Sequence, residues 1–128
     1  MQRVFKHPQI FADLLGLCQL YYPMHNNLPK PFRYAVGERI LTELAECLRH
    51  VVLANAVDKQ SEAGRAEGAG HVRQVRAGIE VVRGFVMMGW KLKLISHGAL
   101  TDMGVRMESV SQQAARWQQW FEAPRAGT

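Results

Sequence analysis

Across its last quarter the chain repeats a spacing that few folds accept: Leu100, Met103, Met107, Val110, Ala114, Trp117 and Phe121 follow one another at alternating steps of three and four. On an α-helix that spacing draws a single apolar seam, the pattern of a helix packed in a bundle or a coiled coil. A seam needs partners, and three earlier segments offer them. Phe11, Leu14, Cys18 and Tyr21 share one stripe, and Val36, Ile40, Leu44, Cys47, Val51 and Val57 form a second. Val72, Val75, Ile79, Val82, Val86 and Gly89 form a third. No segment alternates with a period of two between turn signals, so strands are not expected.

Breaks in the pattern fall at the proline- and asparagine-rich residues 22–31, at the glycine-bearing residues 59–70, and at Ser96-His97-Gly98. Together they predict helices over about 8–22, 31–59, 71–96 and 100–121, with Pro8 tolerated in the opening turn because no partner is needed there for its missing N–H. Residues 61–70 read as a loop in preference to an extension of the second helix, and Leu28 as an anchor beneath the proline corner. A chain of 128 residues forms one domain, 1–128, and hides roughly two thirds of its unfolded surface. The expected fold class is all-α, an antiparallel up-and-down four-helix bundle.

Composition narrows the class further. Hydrophobic residues at 48% and charged residues at 21% exclude a disordered chain. The two cysteines, Cys18 and Cys47, lie in apolar segments without metal-site or redox-motif spacing and read as reduced core residues. Neither a secretory signal nor a membrane span is recognisable; the longest strongly apolar run, residues 85–90, is flanked by Arg83, Lys91 and Lys93. The expected location is cytoplasmic.

Catalytic chemistry finds no foothold. His7, His25, His50, His71 and His97 are scattered near helix ends and turns, and no Glu-x-x-His pair is present to build a metal centre in a bundle. Glu46 and His50 stand four apart and read as a surface pair; an enzyme built on them is the remotest reading. Gly64, Gly68 and Gly70 lack the Lys-Ser/Thr of a phosphate loop. No catalytic residue, metal or cofactor is expected.

Two features remain unspent. The chain carries a formal charge of +5, and residues 60–98 hold Arg65, Arg73, Arg76, Arg83, Lys91 and Lys93 against Glu62, Glu67 and Glu80. Arg73, Arg76 and Arg83 return to one side of a helix, with Lys91 close by, so the row either meets successive phosphates or forms an ordinary solvated face. Lys30, at the turn, is free to meet a phosphate. Such contacts bring affinity with little sequence specificity. The second feature is apolar surplus: Val81, Phe85, Met88, Leu92 and Ile95 make an extra stripe, and Trp120 flanks Trp117, so these residues either widen the core or form a protomer interface.

The stretch Leu28-Pro29-Lys30-Pro31-Phe32-Arg33-Tyr34-Ala35-Val36-Gly37-Glu38-Arg39-Ile40, with the later Leu94-Ile95-Ser96, resembles the small four-helix bundle proteins related to those inserted in bacterial 23S ribosomal RNA genes. Within that group the length, charge and layout are most similar to the accessory variability determinants of diversity-generating retroelements. Relatives often carry Gly-Gly-Trp where this chain has Ala115-Arg116-Trp117. The resemblance implies a homo-oligomer, a pentamer, that binds RNA and DNA and associates with the element's reverse transcriptase. It further implies support of error-prone cDNA synthesis and mutagenic homing. Within the motif, Gly37 reads as a point of close helix approach and Phe32, Val36 and Ile40 as a buried stripe. Arg33 and Arg39 are open between pairing with Glu38 or Glu43, capping a neighbouring protomer, and reaching nucleic acid. Pro29, Phe32, Arg33, Tyr34, Gly37, Arg39, Trp117 and Trp120 are thus the motif and interface candidates. The alternatives to a retroelement role are a protein-interaction module and a ribosomal-RNA-associated bundle.

Overall fold

The computed structural model describes residues 9–125. Within them the chain forms four helical rods. The first, α1, is Gln9–Asn26. The second, α2, is one continuous helical run made of Lys30–Phe32, a π-helical turn Arg33–Gly37, and Glu38–Ala56. The third, α3, is Glu62–Lys91, and the fourth, α4, is His97–Glu122. Successive helices are joined by short turns, and α1 packs on α2, α2 on α3, α3 on α4 and α4 on α1, which closes an antiparallel four-helix ring. No helix is long and apolar enough to cross a membrane among the described residues.

The core is the sum of one stripe per helix. Leu14, Leu17, Tyr21, Ile40, Leu44, Ile79, Met103 and Met107 are among the side chains fully removed from water, and the third and fourth seams pack as their spacing predicts. On α1 the stripe is Ile10, Leu14, Leu17 and Tyr21, with the expected Phe11 and Cys18 half-buried at its edge. Leu28 is buried beneath the corner between α1 and α2. Both cysteines are free thiols, and burial pushes the Cys47 thiol up to about 12, with nearby Glu43 adding to the shift. It is inert at neutral pH.

α2 ends at Ala56, short of the expected 59, with Val57 already extended (φ −67°, ψ 158°), and four other boundaries differ, each for a local reason. α1 runs through Pro23 to Asn26, because a proline in the final turn removes only one N–H and His25 below it is buried. The expected loop at 59–70 is corrected: helix α3 starts at Glu62, capped by the Ser61 hydroxyl, which accepts from the Gly64 N–H at 2.9 Å. Its glycines admit neighbours rather than loosen the chain. Gly68 faces the Phe121 ring, and a Cβ on Gly78 would stand 2.6 Å from the Cys47 sulfur. Buried Arg65 donates to the Lys59 carbonyl at 3.1 Å and closes the α2–α3 turn.

α3 ends at Lys91 instead of residue 96. There the Leu94 N–H bonds the Gly89 carbonyl at 2.8 Å and the Lys93 N–H bonds the Trp90 carbonyl at 2.9 Å, a Schellman closure. It places Lys93 at φ 64°, a left-handed conformation usually left to glycine. Ser96 then caps α4 by accepting from the Ala99 N–H at 3.1 Å, so the break read at residues 96–98 is the first turn of the last helix. The start expected for the first helix, Pro8, lies outside the described residues.

Of the surplus apolar residues, Ile95 is buried and Phe85 half-buried, whereas Val81, Met88, Leu92 and Trp120 stand open to solvent. They do not widen the core.

Candidate nucleic-acid interface

The arginine row of α3 is engaged by α4. Arg73 Nη1 bonds Glu122 Oε2 at 3.0 Å, Arg76 Nη1 bonds Gln118 Oε1 at 2.9 Å, and Arg83 lies 3.4 Å from Glu80 and 3.6 Å from Glu108. The ties to Glu122, Gln118 and Glu108 cross to α4, and the Arg83–Glu80 pair stays within α3; exposed ion pairs of this kind contribute about 0–1 kcal/mol each. A phosphate arriving there competes with carboxylates at Arg73 and Arg83 and an amide at Arg76.

Four cations without an ion pair among the described residues gather elsewhere. Antiparallel topology puts the α1–α2 turn and the α3–α4 turn at the same end of the bundle, and a Cβ on Gly89 would lie 3.4 Å from the Phe32 ring, which ties the two turns together. Residues 22–39 and 87–102 hold Lys30, Arg33, Arg39, Lys91 and Lys93 against two carboxylates, Glu38 and Asp102. Lys30, Arg39, Lys91 and Lys93 are exposed and make no ion pair among the described residues. The pairing of Arg39 with Glu38 or Glu43 is therefore not formed. Arg33 donates to the Asn26 carbonyl at 3.3 Å and lies over the Tyr34 ring at 5.4 Å, so it too is committed to the turn and not to a carboxylate.

Exposed rings share this end. Tyr22 is 61% exposed, Tyr34 63% and Trp90 37%, the last with its ring centre 6.2 Å from that of His97. At the opposite end Trp117 stacks on Phe121 at 5.6 Å, and Trp120 meets Phe121 edge-on at 5.2 Å with Arg125 over it at 4.5 Å, so both tryptophans of the interface candidates have ring partners, although Trp120 stays open to solvent.

A buried polar relay sets the shape of the basic end. His25 Nε2 is 2.9 Å from Glu38 Oε2, and because a carboxylate only accepts, that nitrogen carries a hydrogen. In the neutral ring Nδ1 is then the acceptor for the Tyr21 hydroxyl at 3.0 Å. The same hydroxyl stands 3.3 Å from the Gly37 carbonyl, at the end of the π-helical turn. Gly37 is where the helices meet: a Cβ there would lie 2.9 Å from His25 Nδ1, as the expected close approach requires. Burial, reinforced by Glu38, pushes the Tyr21 hydroxyl up to about 12, so it is a structural donor and not a nucleophile. Phe32 and Ile40 are buried and Val36 half-buried, and Pro29 leads into the helix with extended backbone (φ −58°, ψ 144°).

His50 has an unforeseen partner. Its Nδ1 lies 2.9 Å from His71 Nδ1, joining α2 to α3, with the Nε2 atoms 3.9 Å from Glu46 and 3.8 Å from Glu67. The ring centres are 5.2 Å apart, equal to the nitrogen separation plus the two ring radii, so the lone pairs point straight along one line. That is the geometry of one N–H···N bond. A metal held by both rings needs about 2.0–2.1 Å to each nitrogen and converging lone pairs, which this line does not supply. Among the described residues no group of three or more histidines, cysteines or carboxylates is placed to hold a metal.

Burial, then His71, holds the His50 imidazole below its ordinary value, with Arg49 adding to the fall and Glu46 opposing it. A lowered folded value means the unfolded chain takes the proton first. The bond's contribution is complete above an unfolded value of about 6.5 and is lost as pH falls through the folded one. Urea unfolding midpoints should thus fall between pH 7.5 and 5, and fall less in His50→Leu; equal slopes would remove the effect from this pair. The signal in the sequence was the repeated Glu-x-x-x-His spacing, Glu46/His50 and Glu67/His71, on two helices.

Comparison with protein-family models, with curated proteins and with solved structures finds no match to the chain.

Proposed function

We propose that this bundle is a non-enzymatic nucleic-acid-binding accessory protein that works beside a retroelement reverse transcriptase in error-prone, template-directed cDNA synthesis. The observation that carries the nucleic-acid reading is the basic end, where five cations gather with two carboxylates, Glu38 and Asp102, and Glu38 is already held by His25. Unpaired cations close together bind phosphates by releasing counterions, without reading bases. Lys30, Lys91 and Lys93 therefore come before Arg73, Arg76 and Arg83 as phosphate contacts. The polymerase partnership rests on the likeness of residues 28–40 to the accessory variability determinants. So does assembly as a homo-oligomer, a pentamer, to which the exposed Val81, Met88 and Leu92 lend surface. Repeated basic ends in one assembly concentrate a field that one protomer holds weakly.

The test is a charge reversal. Lys30→Glu, Arg33→Glu, Lys91→Glu and Lys93→Glu combined should weaken binding of RNA and DNA about tenfold or more in filter assays at moderate salt. The slope of log affinity against log salt should drop by about 3, since each lost phosphate contact removes roughly 0.7–0.9. Reversing Arg73, Arg76 and Arg83 should mainly loosen α4 and leave the slope nearer the parent's. Unchanged binding in the fourfold variant overturns the site. Retention of an acidic protein, with no nucleic acid bound even at low salt, would instead favour a protein-interaction module.

A further inference from the structure

The cations of the basic end come with rings. Along the chain the order is Lys30, Arg33, Tyr34 on one turn and Trp90, Lys91, Lys93 on the other, with Tyr22 beside the first. We infer that this end takes single-stranded nucleic acid, with bases stacked on Trp90 and Tyr34 while the neighbouring cations hold the phosphates. The inference rests on the nucleic-acid reading above and narrows it to one form of the polymer.

Three observations point the same way. First, three of the four exposed rings share one end. Tyr22, Tyr34 and Trp90 open to solvent where acid is scarce, while Trp120, also exposed, stands alone at the opposite end with Arg125 over it. Exposed aromatic side chains lose water-exposed apolar surface when a base covers them, and every base has a face to offer. Second, Arg33 lies 5.4 Å from the Tyr34 ring centre, a planar cation beside a planar ring, and its Nη1 is fixed to the Asn26 carbonyl at 3.3 Å. A platform held in place before binding loses less freedom on binding than a loose side chain. Third, the end presents helix termini and two turns. A duplex keeps its base faces stacked inside and is read through its grooves by a helix or ribbon laid along them. Blunt helix ends bearing rings match an unpaired strand better than a groove.

Lys93 belongs to the same picture. Its left-handed backbone, φ 64°, raises a lysine at the tip of the α3–α4 turn where glycine would sit with less strain. The adjoining Leu92 is exposed as well, so the tip offers apolar surface flanked by two cations.

The experiment compares an oligothymidylate of about twenty nucleotides, long enough for a site of up to about sixteen, with a blunt duplex of the same length, using the full chain at one salt concentration. The strand should bind about tenfold tighter than the duplex and quench tryptophan fluorescence. Trp90→Leu and Tyr34→Leu, both at exposed positions, should each lower affinity for the strand about fivefold or more, and leave the duplex affinity and the helical circular dichroism unchanged. The Trp90 variant should also lose the quench. Equal affinity for both polymers, or strand binding indifferent to both ring substitutions, overturns the stacking inference while binding through charge stands. Failure of either polymer to bind at low salt overturns both.

Discussion

Gly64→Ala should destabilise the bundle by about 3 kcal/mol, at the top of the usual range for overpacking. A Cβ at this position would overlap the Asp58 carbonyl oxygen, and it would stand 2.8 Å from the Asp58 carbonyl carbon and 2.9 Å from the Ser61 hydroxyl. None of these is the loose end of a flexible side chain. Asp58 belongs to the turn that delivers α2 into α3, and the Ser61 hydroxyl is the cap of α3, bonded to the very N–H of residue 64. Relief therefore demands moving a turn that Arg65 pins to the Lys59 carbonyl at 3.1 Å. The control lies within the same helix. Around Gly84 nothing would lie within 4 Å of an added Cβ, so Gly84→Ala should raise stability by about 1 kcal/mol through helix propensity alone. Urea unfolding of the two variants should move in opposite directions from the parent. A Gly64→Ala protein as stable as the parent would mean the α2–α3 turn is not packed as described.

That contrast marks where sequence reading stopped. The seams of α3 and α4 were legible because burial by neighbouring helices imposes a period that is written into the helix itself, residue after residue. The glycines of residues 61–70 were not, because a glycine that loosens a loop and a glycine that admits a ring or a sulfur look alike until the neighbour is known. Gly68 and Gly78 answer to Phe121 and Cys47, which lie far away along the chain. The proline at 23 was misleading for the converse reason: it forfeits one bond, back to the carbonyl of residue 19, and whether the last turn persists without it depends on contacts beyond the segment, here the burial of His25.

The candidate interface divides in the same way. Lys30, Lys91 and Lys93 could each be named from the sequence, yet their convergence with Arg33, Tyr34 and Trp90 comes from antiparallel topology and not from spacing. Arg73, Arg76 and Arg83 align on their own helix as their steps require, but Glu122, Gln118 and Glu108 on α4 decide what that alignment is for. His71 met His50 for want of any rule linking one helix face to another. Residue type and period locate a side chain on its element; packing supplies its partner.

Tyr21→Phe should have the second large effect, and one that reaches the basic end. The hydroxyl's one hydrogen goes to buried His25 Nδ1 at 3.0 Å, with its oxygen 3.3 Å from the Gly37 carbonyl, and phenylalanine fills nearly the same volume without that bond. Leaving the buried acceptor unmet costs about 1–3 kcal/mol. The loss reaches the π-helical turn because His25 packs on Gly37, its last residue, and holds Glu38 just beyond it, with Arg33 at the turn's start. Such turns interrupt a helix at a local energetic penalty and persist where surrounding contacts hold them. Without the tie, the run Arg33–Gly37 is freer to relax toward regular α-helix, which rotates Arg33 and Tyr34 relative to Lys91 and Trp90. Stability and strand binding should therefore fall together in Tyr21→Phe. In Leu14→Ala, a core truncation near the far end of α1 costing about 2–5 kcal/mol, stability alone should fall while the protein remains folded. If Tyr21→Phe loses stability but binds the strand as the parent does, the relay supports the core and has no part in shaping the basic end.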